Sequence, residues 1–142
     1  MIISDLNVLL YAIDTESAFH TRARTWWEDL LNGHGRVGMP WHVALGFVRL
    51  STSERVFRNP LSLGEAWDEV EAWMAMPGVV AVQPGPGHLG RVRDLLAPLG
   101  AGGKLVADAH LAALAIEQHA TLATNDRDFQ RFAGLRTVNP VA

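Results

Sequence analysis

The sequence predicts an α/β domain whose mostly parallel sheet is covered by helices on both faces. Three observations carry this expectation. Apolar runs of strand length recur from end to end, and stripes at helical spacing fill the gaps between them. The Gly/Pro clusters Gly33–Gly38, Pro84–Gly87 and Gly100–Gly103 fall between the periodic segments, where turns belong. Strands alternating with helices favour parallel pairing, because each crossover lays a helix across a sheet face.

The elements follow in order. Met1–Ser4 is the first strand-like run. Phe19, Ala23, Trp26, Trp27, Leu30 and Leu31 then form one apolar helical face. Val37–Met39 is the second strand. Ser62-Leu63-Gly64-Glu65 has capping-box spacing and opens a helix striped by Trp67, Val70, Trp73 and Met74. Val79–Val82 is the third strand, followed by the stripe Leu89, Val92, Leu96 and Leu99. Leu105–His119 is apolar almost all round, which predicts a buried helix. Thr121–Thr124 and Leu135–Val138 complete the strands. Tryptophans at helical spacing can stack bases, but core packing is the commoner use and is the one expected here.

At 142 residues, with 49% hydrophobic and 19% charged side chains, the chain is expected to form one domain over residues 1–142. No window approaches the ~18 uninterrupted apolar residues of a membrane helix. The start, Met1-Ile2-Ile3-Ser4-Asp5, lacks the basic stretch of a signal peptide, so a cytoplasmic chain without membrane association is expected. With no cysteine there is no disulfide scaffold, thiolate zinc site or Cys nucleophile. The net charge of −3 excludes a strongly cationic nucleic-acid coat but leaves room for a local basic patch. Eleven of the twelve basic residues are Arg, and Lys104 is the single Lys.

Most acids have ordinary explanations: Glu28, Asp29, Asp68, Glu69 and Glu71 lie on polar helix faces. Others do not. Asp5 ends the first strand, Asp126 and Asp128 follow the strand Thr121–Thr124, and Asp108 sits near the start of the most apolar helix. Each alone is explained as a helix or turn cap, since a buried carboxylate needs a partner. Together they point elsewhere. The carboxyl ends of parallel strands share one edge, so these carboxylates converge there and raise one another's pKa. A divalent cation relieves that conflict, and an all-oxygen set favours Mg²⁺ or Mn²⁺ and attack on a phosphodiester.

The segments Ile2-Ile3-Ser4-Asp5-Leu6-Asn7-Val8-Leu9-Leu10-Tyr11, Val106-Ala107-Asp108-Ala109-His110-Leu111-Ala112-Ala113-Leu114-Ala115 and Thr124-Asn125-Asp126-Arg127-Asp128-Phe129 resemble the PIN-domain ribonucleases, most closely the VapC-type toxins. Phe47-Val48-Arg49-Leu50-Ser51-Thr52 and the ending Leu135–Pro140 extend the resemblance along the whole chain. It implies a three-layer sandwich with a four- or five-stranded sheet and a Mg²⁺- or Mn²⁺-dependent endoribonuclease that inhibits translation. It also implies a homodimer and a VapB-type antitoxin, in a heterotetramer or larger complex. By motif position Asp5, Asp108 and Asp126 are the metal ligands, and Asp128 supports them. One position departs. The family places a Glu three residues before the Arg of the Phe-x-Arg stretch, and here that position is Gly46. His42, one helical turn earlier, is the nearest candidate for the same edge.

An acidic cluster that handles RNA needs a basic rim. Arg49, Lys104 and Arg127 are the expected RNA-binding residues, with Lys104 four positions before Asp108 and Arg127 between two acids. Arg49 can equally pair with a site carboxylate. His20, His34, His88, His110 and His119 show no metal-ligand spacing. Two other readings compete for the same residues. A haloacid-dehalogenase-like phosphatase wants Asp-x-Asp where this chain has Asp5-Leu6-Asn7. A non-catalytic module that keeps the fold and its binding surface is supported by Gly46.

Overall fold

The computed structural model describes residues 1–142. Five strands, β1 (Ile2–Ser4), β2 (Val37–Pro40), β3 (Val79–Val82), β4 (Thr121–Ala123) and β5 (Arg136–Val138), form one sheet. Its order is β3-β2-β1-β4-β5, and every pairing is parallel. β1 is central. The chain steps outward from β1 to β2 and β3, then crosses back to place β4 on the other side of β1. The carboxyl ends of β1 and β4 therefore flank a topological switch point, where α/β folds open a crevice.

Six helices fill the connections: α1 (Leu6–Ile13), α2 (His20–Asn32), α3 (Trp41–Ser51), α4 (Leu63–Ala75), α5 (His88–Leu96) and α6 (Lys104–Glu117). Right-handed crossovers put α1–α4 on one face and α5–α6 on the other, and the helices pack against one another in those two groups. The expected three-layer α/β sandwich is the observed architecture.

Most stripe residues face inward, but Leu89 is 84% exposed, and the buried residue of α5 is Leu95, outside the predicted stripe. Trp27 and Trp73 are buried and meet edge to face at 5.5 Å, and Phe47 packs on Trp73 at 4.6 Å. Trp67 keeps its outer side in solvent. Ser62 and Glu65 form the capping box of α4 in both directions. α6 corrects the expectation of burial along its whole length. Ala109 and Leu111–Ala115 are buried, but Val106 in the first turn is 47% exposed. Two helices carry no stripe legible in the sequence. α1 is short and starts one residue after β1, and α3 starts directly after β2 with no side-chain cap, so neither is set off from its strand in the sequence. No helix is long and apolar enough to cross a membrane.

Candidate functional site

The site is assembled by strand ends and helix starts. Asp5 leaves β1 in extended conformation and caps α1, its Oδ1 accepting from the Leu6 amide at 2.7 Å. The backbone amide of Asp5 donates to Ala123 of β4, so the ends of the two strands are held side by side. One residue beyond β4, Thr124 is 5% exposed. Its hydroxyl donates to Asp5 Oδ2 at 2.8 Å and accepts from the Asp126 amide at 3.0 Å. Asp126 in turn accepts from the Asp128 amide at 2.9 Å, capping a short 3₁₀ turn over Arg127–Arg131. Thr124 thus fixes one carboxylate directly and the loop that carries another.

The fourth acid arrives on α6. Gly103, at φ 60°, occupies a conformation that L side chains avoid and turns the chain into Lys104. Lys104 Nζ then lies 3.3 Å from Asp126 Oδ2, bridging α6 to the loop after β4. Asp108, one turn further along, has a buried Oδ2 with no hydrogen-bond partner. A buried acceptor left unpaired is costly, so this oxygen is conspicuous.

Electrostatics mark the same place. Burial pushes the Asp5 carboxyl above its ordinary 3.8; hydrogen bonds from Thr124 and Leu6 oppose the rise, and Asp108 and Asp126 add to it. Asp108 is raised by burial, lowered by Lys104, and raised again by Asp126 and Asp128. Lys104 is raised chiefly by its hydrogen bond to Asp126. The two raised carboxyls act on each other: like charges are crowded at one edge with a single cation against them. No three acidic or imidazole side chains converge into a ready cage. The donor set is all oxygen, and Asp108 Oδ2 is free to accept a cation. The residues fit a hard divalent ion.

The site residues expected from the sequence therefore divide. Asp5, Asp108, Asp126 and Asp128 lie near enough for their charges and that of Lys104 to act among them, without three closing into a cage, and exposed Arg127 stands in sequence between two of the acids. Arg49 does not join them. It lies in the last turn of α3 and forms no ion pair with any carboxylate. At Gly46 the space is occupied: a Cβ there would stand 2.8 Å from Leu6 Cδ2. Leu6, next to Asp5, fills the volume on that side of α3.

Sequence reading missed two features. Thr124 looked like the end of a strand, and nothing in its spacing marked it as the clamp. The other is a histidine relay. His88 of α5 contacts Glu117 through Nδ1 and His110 Nδ1 through Nε2 at 2.8 Å, and the His42 ring lies 4.8 Å from that of His110. Glu117 is itself fixed by the Gly85 amide at 2.7 Å. Although part of His42 reaches solvent, burial of its ring and the neighbouring His110 lower it to about 4. His42 thus faces a histidine rather than the acids, and joins the relay that ties α3, α5 and α6. Such contacts are tertiary and leave no periodic signal.

Comparison with known proteins agrees with this fold. The PIN domain family matches residues 2–135. Ribonuclease VapC33 of Mycobacterium tuberculosis is 42% identical over 141 residues, covering 99% of both chains. Ribonuclease VapC37 of the same organism is 43% identical over 142 residues, covering 100% of this chain and 99% of the relative. Among solved structures, the fold resembles VapBC2 from Rickettsia felis bound to a DNA fragment from its promoter, with TM-score 0.70, 19% identity and 98% of both chains covered. It also resembles Mycobacterium tuberculosis VapC20, a Sarcin-Ricin loop cleaving toxin, with TM-score 0.67, 16% identity, and 96% and 99% covered. A chain matched over nearly its whole length, both by the family and by relatives above 40% identity, belongs to the PIN-domain family and within it to the VapC ribonucleases.

Proposed function

We propose that this protein is a divalent-metal-dependent endoribonuclease and the toxin of a VapBC-type toxin–antitoxin pair, acting on cellular RNA as a homodimer restrained by a VapB-type antitoxin. The observation that supports the reading is the buried, unpartnered Asp108 Oδ2 at the switch point, where the charges of Asp108 and Asp126 both raise Asp5. The relatives' names and the antitoxin complexes among the structural neighbours support the biological role.

Asp5, Asp108 and Asp126 would hold Mg²⁺ or Mn²⁺, with Asp128 in support. When bound, the cation neutralises the carboxylates and draws charge from the phosphodiester. The chain's own part is positional. Thr124 orients Asp5 and the Asp126 loop, Lys104 steadies Asp126, and Arg127 offers a cation to the RNA backbone. Cleavage is hydrolysis: a water oxygen forms the new bond to phosphorus, and the departing ribose oxygen takes up a proton.

The test is purified protein on structured RNA with Mg²⁺, Mn²⁺ or EDTA. Cleavage should require the metal and fall in Asp5→Asn and Asp108→Asn by more than the ~10–100-fold that outer-shell changes cost. Full activity in either variant would sink the assignment. A second reading, a non-catalytic module that keeps partner or RNA binding, rests on Gly46 and the Leu6 side chain against it. RNA binding with no cleavage in either metal would favour it.

A further inference from the structure

Beside the acidic cluster lies a polar cavity of about 270 Å³ between the loop after β4 and the strand β5. Its walls include Asn125, Arg127, Gln130, Thr137, Val138 and Asn139, and Asp126 belongs both to this wall and to the cluster. We propose that the cavity binds the base of an RNA nucleotide next to the scissile phosphate, and that its donors select guanine. The proposal rests on the ribonuclease reading and deepens it.

The hydrogen bonds fix which groups are on offer. The Val141 amide can only donate, so the atom of Asn139 facing it at 3.1 Å is the carbonyl oxygen. Asn139 Nδ2 must then be the donor to Asn125 at 2.9 Å, and Asn125 faces it with Oδ1. The amide group of Asn125 is left with both N–H donors unengaged. Arg127 has no carboxylate partner and Gln130 no hydrogen bond, while both side chains are exposed. The cavity is therefore rich in free donors on a pre-set pair of asparagines, with one unpaired amide carbonyl on Gln130.

Guanine complements that set. Its O6 and N7 are adjacent acceptors that suit an arginine fork or an amide donor, while N1–H and the 2-amino group donate to a carbonyl such as that of Gln130. Adenine presents an N6 amino donor beside N7, which opposes Arg127. Val138, 42% exposed, supplies apolar surface for the face of the base. Unstacked bases read by edge hydrogen bonds are the usual mode of sequence-specific RNA recognition. Arg127 and Lys104, near or against Asp126, offset the repulsion between RNA and the carboxylates.

The experiment titrates GMP, AMP, CMP and UMP into the full chain in EDTA, following side-chain amide resonances by ¹⁵N NMR. GMP should saturably shift Asn125, Gln130 and Asn139 more than the other three nucleotides do, in the wild type and equally in Asp108→Asn. Asn125→Ala and Gln130→Ala should weaken GMP binding and flatten base preference at one position beside the RNA cut. Amides unmoved by any nucleotide, or moved equally by all four, would overturn the proposal. Unchanged cleavage preference in both variants would overturn it as well. GMP binding in a protein that never cleaves RNA would support the pocket while failing the nuclease reading.

Discussion

Asp108 Oδ2 and Thr124 Oγ1 set the chemistry at the scale of single residues. Burial and neighbouring carboxylates raise Asp5 and Asp108 above 3.8, so the folded state holds their protons more tightly than the unfolded chain does. Metal-free stability therefore falls as pH rises from 3.8 through the raised folded values. Asp108→Asn should raise the melting temperature in EDTA at pH 7 by a few degrees, and the gain should vanish below that window; calorimetric scans at both pH values check this. Thr124→Val leaves Asp5 without its hydroxyl donor and the Asp126 amide unpaired, at a cost of ~1–3 kcal/mol. Because that hydrogen bond lowers the Asp5 pKa, its loss should move the pH dependence of Mn²⁺ binding upward, and Thr124→Ser should restore it. The acids were legible in the sequence because carboxylates after apolar strands are out of place. Thr124 was not, because a threonine at a strand end carries no such contradiction.

At the scale of elements, the strands and the α2 and α4 stripes were readable and α6 was legible from its apolar length, whereas α1 and α3 follow their strands with almost no break to mark them. α3 nevertheless carries much of the core. Phe47 is fully buried and stacks edge-on against Trp73, so Phe47→Ala should cost ~3–5 kcal/mol in denaturant unfolding. The contact between α1 and α3 also explains Gly46. The sequence shows a missing acid; the structure adds that Leu6 takes its place, with Cδ2 2.8 Å from a would-be Cβ. Gly46→Glu alone should lower stability and leave metal affinity unchanged. Paired with Leu6→Ala it should recover stability and bind Mg²⁺ more tightly, a non-additivity expected of touching residues. Equal affinity in the single and double variants would show that α3 has no access to the ion.

For the whole molecule, the sheet order matters most, because returning β4 to the far side of β1 gathers acids from distant segments at one edge. The histidine relay ties the two helical layers beside it. His42, held near 4 against an ordinary 6.5, resists protonation in the fold, so its contribution to stability is complete above pH 6.5 and is lost as pH falls toward 4. His42→Gln should reduce that acid-side loss, read as a shallower fall of melting temperature between those pH values. We propose that the antitoxin reaches the same acidic edge: a basic side chain from the partner, set against Asp5, Asp108 and Asp126, would oppose a mobile cation. The complex should therefore bind Mg²⁺ more weakly than the free toxin. The central claim is that these carboxylates share one divalent ion. Calorimetric titration of Mn²⁺ into the wild type and Asp108→Asn tests it most directly. The account predicts saturable, EDTA-reversible binding in the wild type and at least a ~10-fold loss in the variant; equal affinity in the two proteins would contradict it.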